Sequence, residues 1–137
     1  MRVVLDTNIF VSTLISESGP PYKAFDAWVG GRFKLISSVE QIAELRRISR
    51  YPKLIQLVPK HVFGDLINAL GKTALIEAAR VAVELSDPED AFLLGMADTG
   101  NADYLVTGDK RAGLLALKTY GRTKIVTPSE FVAAIGV

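Results

Sequence analysis

The chain has 137 residues, 49% of them hydrophobic and 23% charged, with a formal net charge of +1. This composition fits a folded domain with a sizeable core and excludes a disordered chain. The absence of cysteine excludes disulfides, zinc–thiolate sites and thiol nucleophiles, and is compatible with a cytoplasmic setting.

Val3, Val4 and Leu5 make a short apolar run that stops at Asp6. Arg2 to Asp6 reads as a strand buried on both faces, with the carboxylate where the strand ends and a cleft begins. The same Asp interrupts the run too early for a secretory leader, and no apolar stretch is long enough to span a bilayer. A helix is expected from Asn8, as its cap, to about Ser16. Gly19-Pro20-Pro21 breaks it, and Pro21 or Tyr22 opens a second helix ending near Gly30-Gly31. Phe33 to Ile36 is a short strand, and Ser37 or Ser38 caps a third helix running to about Arg50. Pro52 starts a short helical piece and Pro59 a longer one ending near Gly71, while Ala79 to Val83 reads equally as strand or helix. Asp87-Pro88-Glu89-Asp90 combines a cap, a proline at the first helical position and acids in the first turn, so a helix should run from there to about Thr99. Tyr104 to Val106 is a buried strand followed by a Thr107-Gly108-Asp109 turn. Leu114 to Leu117 is a short helix, Lys124 to Val126 the last strand, and Pro128 opens the final helix. Alternating strands and helices over residues 1–137 predict one three-layer α/β/α domain with a central parallel sheet of four to five strands.

The near-neutral total hides an uneven distribution. From Val81 to Asp109 there are seven acids and no Lys or Arg, whereas Leu45 to Gly64 and Lys110 to Ser129 each carry five cations and no acid. That pattern is either ordinary surface charge or an acidic metal site within a polyanion-binding surface. Asp6 and Asp109 follow two strand ends, which share one edge in a parallel sheet. Asp90 lies at the third position of its helix, on the face of Leu93, Leu94 and Ala97, and so points either inward or to its own helix backbone as a capping acid. Glu44 lies off the Val39, Ile42, Ala43 and Leu45 stripe. Periodicity alone gives it a solvated helix face and an i,i+3 pair with Arg47.

Convergence of these acids has a physical price. Two unit charges about 5 Å apart repel by roughly 3 kcal/mol at an effective dielectric near 20, so the cluster must bind protons or a cation. Oxygen-only donors, no cysteine and one distant histidine, His61, favour Mg²⁺ or Mn²⁺ over zinc.

The opening VVLDTN, then IAELRRI with Glu44, DPEDAFLLGMA with Asp90, ADYLVTGDK with Asp109, and the closing IVTPSEF together resemble the PIN-domain ribonucleases. Within that family the chain is most similar to the branch formed by toxin components of toxin–antitoxin pairs. The resemblance covers essentially the whole chain, and its specificity lies in the order and spacing of the motifs. It implies Mg²⁺- or Mn²⁺-dependent cleavage of single-stranded or loop RNA. It also implies an acidic quartet of Asp6, Glu44, Asp90 and Asp109, with Asp6, Asp90 and Asp109 holding the metal and Asn8 and Thr107 in support. Arg46, Arg47, Arg50 and Lys110 are candidate phosphate contacts. Toxin relatives are commonly homodimers held by a small antitoxin protein. One departure stands out: many relatives carry a further acid two residues after the position of Asp109, where this chain has Arg111.

Other readings rank lower. Gly71-Lys72-Thr73 lacks the glycine a P-loop needs at position 66, which is Leu66, and Gly71 suits a helix C-cap. No glycine triad follows the first strand, so a dinucleotide fold is unsupported. A receiver-like phosphoacceptor would need a Lys-Pro pair after the last strand, where Thr127-Pro128 stands. A catalytically silent RNA-binding protein on the same fold is the remaining alternative. His61, alone, cannot supply the acid–base pair of a metal-independent ribonuclease.

Overall fold

The structure, a computed structural model, describes residues 1–73, 75–76, 87–108 and 112–137. Its elements run β1 (Arg2–Leu5), α1 (Thr7–Ile15), α2 (Gly19–Val29), β2 (Lys34–Ser38), α3 (Val39–Ile48), α4 (Pro52–Leu57), α5 (Lys60–Gly71), β3 (Leu75–Ile76), α6 (Pro88–Thr99), β4 (Tyr104–Val106), α7 (Ala112–Leu117), β5 (Thr119–Tyr120), β6 (Thr123–Val126) and α8 (Pro128–Ile135). The strands form one sheet in the order β3-β2-β1-β4-β6-β5. The first five are mutually parallel, as the alternation of elements predicts. β5 adds a two-residue antiparallel edge beside β6, too short to show as an alternating pattern in the sequence. Among the described residues no helix is long and apolar enough to cross a membrane.

Strand side chains alternate between two cores. Val3 and Leu5 of β1 join Leu35 and Val106 on one face, packed by Ile9 and Phe10 of α1, Ile42 and Leu45 of α3, and Phe131 of α8. Val4, Ile36, Leu105 and Ile125 face the other way, onto Leu93, Leu94 and Met96 of α6 and Leu114 of α7. A sheet covered on both faces is the reason its strands are almost wholly apolar. Gly100, just after α6, is confined by this packing: a Cβ there would lie 2.7 Å from Ile36 Cγ2.

Local chemistry sets the element ends. Asp87 caps α6, its Oδ1 accepting the Glu89 amide at 2.9 Å, with Pro88 next. Ser38 caps α3 by accepting the Gln41 amide. Thr127 and Glu130 form a full capping box ahead of α8. Two expectations shift. α1 is capped by Asp6 rather than Asn8, because the carboxylate reaches the Asn8 amide and the helix can start at once with Thr7. α2 starts at Gly19, since Pro20 and Pro21 have no N–H to lose in a first helical turn. Ala79 to Val83, read as strand or helix, lies outside the described residues.

At the edge of the sheet opposite to Asp6, Asp103 ties three elements together. Its Oδ2 accepts the Arg2 amide at 2.8 Å and its Oδ1 accepts from the Arg122 guanidinium at 2.9 Å. The backbone bond first, and Arg122 second, hold its pKa below the ordinary aspartate value. A depressed carboxylate pKa stabilises the fold above the unfolded-state pKa, near 4, and that contribution is lost as pH falls through the folded value. Asp103→Asn is therefore expected to lower stability at pH 7 by about 1 kcal/mol, allowing for solvent screening. Urea melts should show the difference shrinking between about pH 4 and pH 2. A gap that persists undiminished at pH 2 would contradict the assignment.

Candidate functional site

The order of the sheet places β1 between β2 and β4. The strand order runs from β1 out to β2 and β3 and resumes with β4 on the other side of β1, and the crevice beyond the carboxyl ends of β1 and β4, at this switch point, is where parallel α/β sheets bind ligands. Asp6 and Thr107 occupy that crevice as the residues immediately following the two strands.

Asp6 is held from every side. Its amide donates to the Val106 carbonyl at 2.9 Å, and its carbonyl accepts the Ile9 amide at 2.9 Å. Its Oδ1 accepts the Asn8 amide at 3.1 Å and its Oδ2 accepts the Thr107 hydroxyl at 2.8 Å. With 1% of its surface exposed, the carboxylate has one orientation. Thr107 is itself fixed, its amide donating to the Val126 carbonyl at 2.9 Å. Thr107 thus reaches the Asp6 carboxylate through its hydroxyl, and Asn8 reaches it through its backbone N–H.

α3 and α6 bring further acids to this edge. Asp90 is buried, at 6% exposure, in the first turn of α6, where the helix dipole favours a negative charge. Glu44, half-buried on α3, has its pKa raised, chiefly by burial, then by the charge of Glu89 and a side-chain hydrogen bond with it; Asp6 pushes in the same direction and Arg47 opposes. Glu44 therefore stands within electrostatic reach of Asp6, Glu89 and Arg47 together. The charge of Arg47, its i,i+3 neighbour, and the charge of Asp6 thus act on it in opposite directions.

The face of α3 differs from the stripe read in the sequence. Gln41, Ile42 and Leu45 are its buried residues, while Val39 is 64% exposed. The polar member is what turns the helix. Gln41 Nε2 donates to the Leu5 carbonyl at 2.9 Å and approaches Thr7 Oγ1 at 3.4 Å, and its Oε1 accepts the Ser37 hydroxyl at 2.7 Å. A buried amide satisfying the end of β1 outweighs burial of one valine. Glu44, three residues further on, is thereby carried to the crevice.

Sequence reasoning passed over Glu89 and Gln41. Glu89 was visible as a second acid beside Asp90. Gln41, between Glu40 and Ile42, carried no signal in the hydropathy pattern. Of the candidate phosphate contacts, Arg46, Arg47 and Arg50 are exposed, with Arg46 and Arg50 lining a groove shared with α4 and α5. Asp109, Lys110 and Arg111 lie outside the described residues.

The donors fit a hard divalent cation in chemistry and charge. They are oxygens only; the pKa of Glu44 is raised first by burial and then by the negative charges of Glu89 and Asp6, and a cation would offset that second part. Among the described residues, no three acidic or histidine side chains form a ready-made metal cage. The family model described as PIN domain matches residues 2–111. No curated protein and no solved structure matches the chain.

Proposed function

The chain belongs to the PIN-domain family, a nuclease fold, and from that premise we propose that it is a Mg²⁺- or Mn²⁺-dependent endoribonuclease. The observation that carries the proposal is the anchoring of Asp6 by Thr107 at the crevice, with Glu44 sensing both Asp6 and Glu89. Asp6, Asp90 and Asp109 would hold the ion, and Asn8 and Thr107 keep the Asp6 carboxylate aimed. The ion, when bound, acidifies a water and offsets charge on the phosphorane-like transition state. Glu44 orients the attacking water and takes its proton. A carboxylate whose pKa is raised toward the working pH suits that task. Water attack at phosphorus with cleavage of the P–O3′ bond, the departing 3′-oxygen taking a proton from solvent, leaves 5′-phosphate and 3′-hydroxyl ends.

The likeness of its motifs to the toxin branch supports a finer reading. In it, residues 1–137 form one PIN-like domain, RNA is the substrate, and the partners are a second copy and a small antitoxin protein in the cytoplasm.

The test is cleavage of single-stranded RNA by purified protein. Strand scission is expected with Mg²⁺ or Mn²⁺ at millimolar concentration, its loss in EDTA, and its return when the metal is restored. Scission that persists in EDTA would exclude the metal-dependent mechanism. RNA binding without scission under any divalent ion would favour the silent alternative.

A further inference from the structure

At the end of α1 remote from Asp6, a groove of about 660 Å³ opens between α1, α2 and α5. Its walls are α2, which packs mainly on α1 and α8, and α5, which packs mainly on α3. The two walls do not close on each other, and each presents a stripe at helical spacing. Tyr22, Phe25 and Val29 lie at i, i+3 and i+7 on α2, and Val62, Leu66 and Ala69 at i, i+4 and i+7 on α5. Seven residues of helix rise about 10 Å, so the groove is two turns long. Its surface is apolar and open: Val29 is 67% exposed, and Tyr22, Phe25 and Trp28 are half-buried. The charged residues of the lining are Glu17 and Asp65, both exposed, with no Lys or Arg among them.

We propose that this groove docks a short helical segment of a partner protein, apolar on one face and carrying Lys or Arg beside that face. The proposal is independent of the nuclease reading and of the partners named with it. Two facing stripes, each two turns long, are what the apolar side of a third helix packs against. Charge then selects the occupant. A cation flanking the apolar side meets Glu17 and Asp65, and the ring faces of Tyr22 and Trp28 attract it as well. The same acids repel a nucleic-acid strand, which would bring phosphates against them. They also oppose a second copy seated groove to groove, because a twofold contact sets each acid near its own counterpart.

Trp28 is the only tryptophan of the chain, so its emission reports the groove directly. The probes are two peptides of about 15 residues, long enough to form a helix. Both carry Leu at i, i+4, i+7 and i+11 and lack Trp and Tyr; one has Arg and the other Glu at the positions flanking the Leu stripe. The Arg peptide is expected to shift Trp28 emission saturably and to bind about tenfold or more tightly than the Glu peptide at low salt, with the gap narrowing as salt is added. Glu17→Lys combined with Asp65→Lys should reverse the order of the two peptides. Both positions are exposed, so the double variant keeps its fold. Ala69→Phe, which fills the groove from an exposed position of α5, should weaken both peptides.

No saturable Trp28 response to the Arg peptide, or a charge preference that survives the double reversal, overturns the proposal. Saturation of Trp28 by spermidine or tetramethylammonium at the concentrations that suffice for the peptide overturns it in favour of a small organic cation. A Trp28 shift that grows with protein concentration in the absence of peptide, together with dimers in sedimentation, overturns it in favour of a second copy. Metal-dependent RNA cleavage should be equal in wild type and in the double variant, so the nuclease reading stands or falls apart from the groove.

Discussion

Asp6→Asn is expected to reduce metal-dependent RNA cleavage by at least about 10³-fold, roughly 4 kcal/mol of transition-state stabilisation, while leaving the fold in place. The two halves of that expectation come from different atoms. As a structural group, Asp6 caps α1 and bonds to Thr107. Asn is as good a cap, its side-chain carbonyl can accept the Asn8 amide, and its NH₂ can donate to a Thr107 hydroxyl that turns to accept. As an anionic ligand it has no substitute, because a neutral amide neither binds a hard cation strongly nor offsets its charge. Thermal melting should stay within a few degrees of wild type, and relief of repulsion on Glu44 acts toward greater stability. A folded Asp6→Asn protein that cleaves within tenfold of wild type would refute the role given to this carboxylate.

The parts of the site that are legible in sequence are those where two rules agree. Asp6 and Thr107 end apolar runs, and a parallel sheet puts such ends on one edge; their meeting needs in addition the pairing of β1 with β4, which no local pattern encodes. Asp87-Pro88 marks a helix start by cap and by proline, and Asp90 follows as a residue of the first turn. Glu44 is legible by motif and illegible by periodicity, because the face of α3 is set by a glutamine. A polar residue that satisfies a strand-end carbonyl has no hydropathy signature, since its partner comes from a segment thirty-six residues away in sequence. β5 fails for another reason: its pairing with β6 spans two residues and depends on a turn in which Gly121 takes a positive φ of 57°, a conformation glycine adopts freely.

The same glutamine carries the largest expected effect on stability. Gln41→Leu keeps roughly the volume of the side chain and removes all its bonds: the donation to the Leu5 carbonyl, the contact with Thr7 and the acceptance from Ser37. Gln41 and Ser37 are both 0% exposed, so water cannot replace what is lost, and each deserted buried group costs about 1–3 kcal/mol. The sum is about 3 kcal/mol, or a fall in Tm of roughly 10 °C for a domain of this size. Ser37→Ala, which removes only one of the bonds, should cost about 1 kcal/mol. Because Leu5 immediately precedes Asp6, and Gln41 precedes Glu44 by one helical turn, Gln41→Leu should also lower cleavage well below the melting range, whereas Ser37→Ala should lower it little. Equal melting temperatures for Gln41→Leu and wild type would show that the end of β1 is held by something other than this amide. A stability loss without any loss of cleavage at low temperature would separate the folding role of Gln41 from the placement of the two acids it lies between.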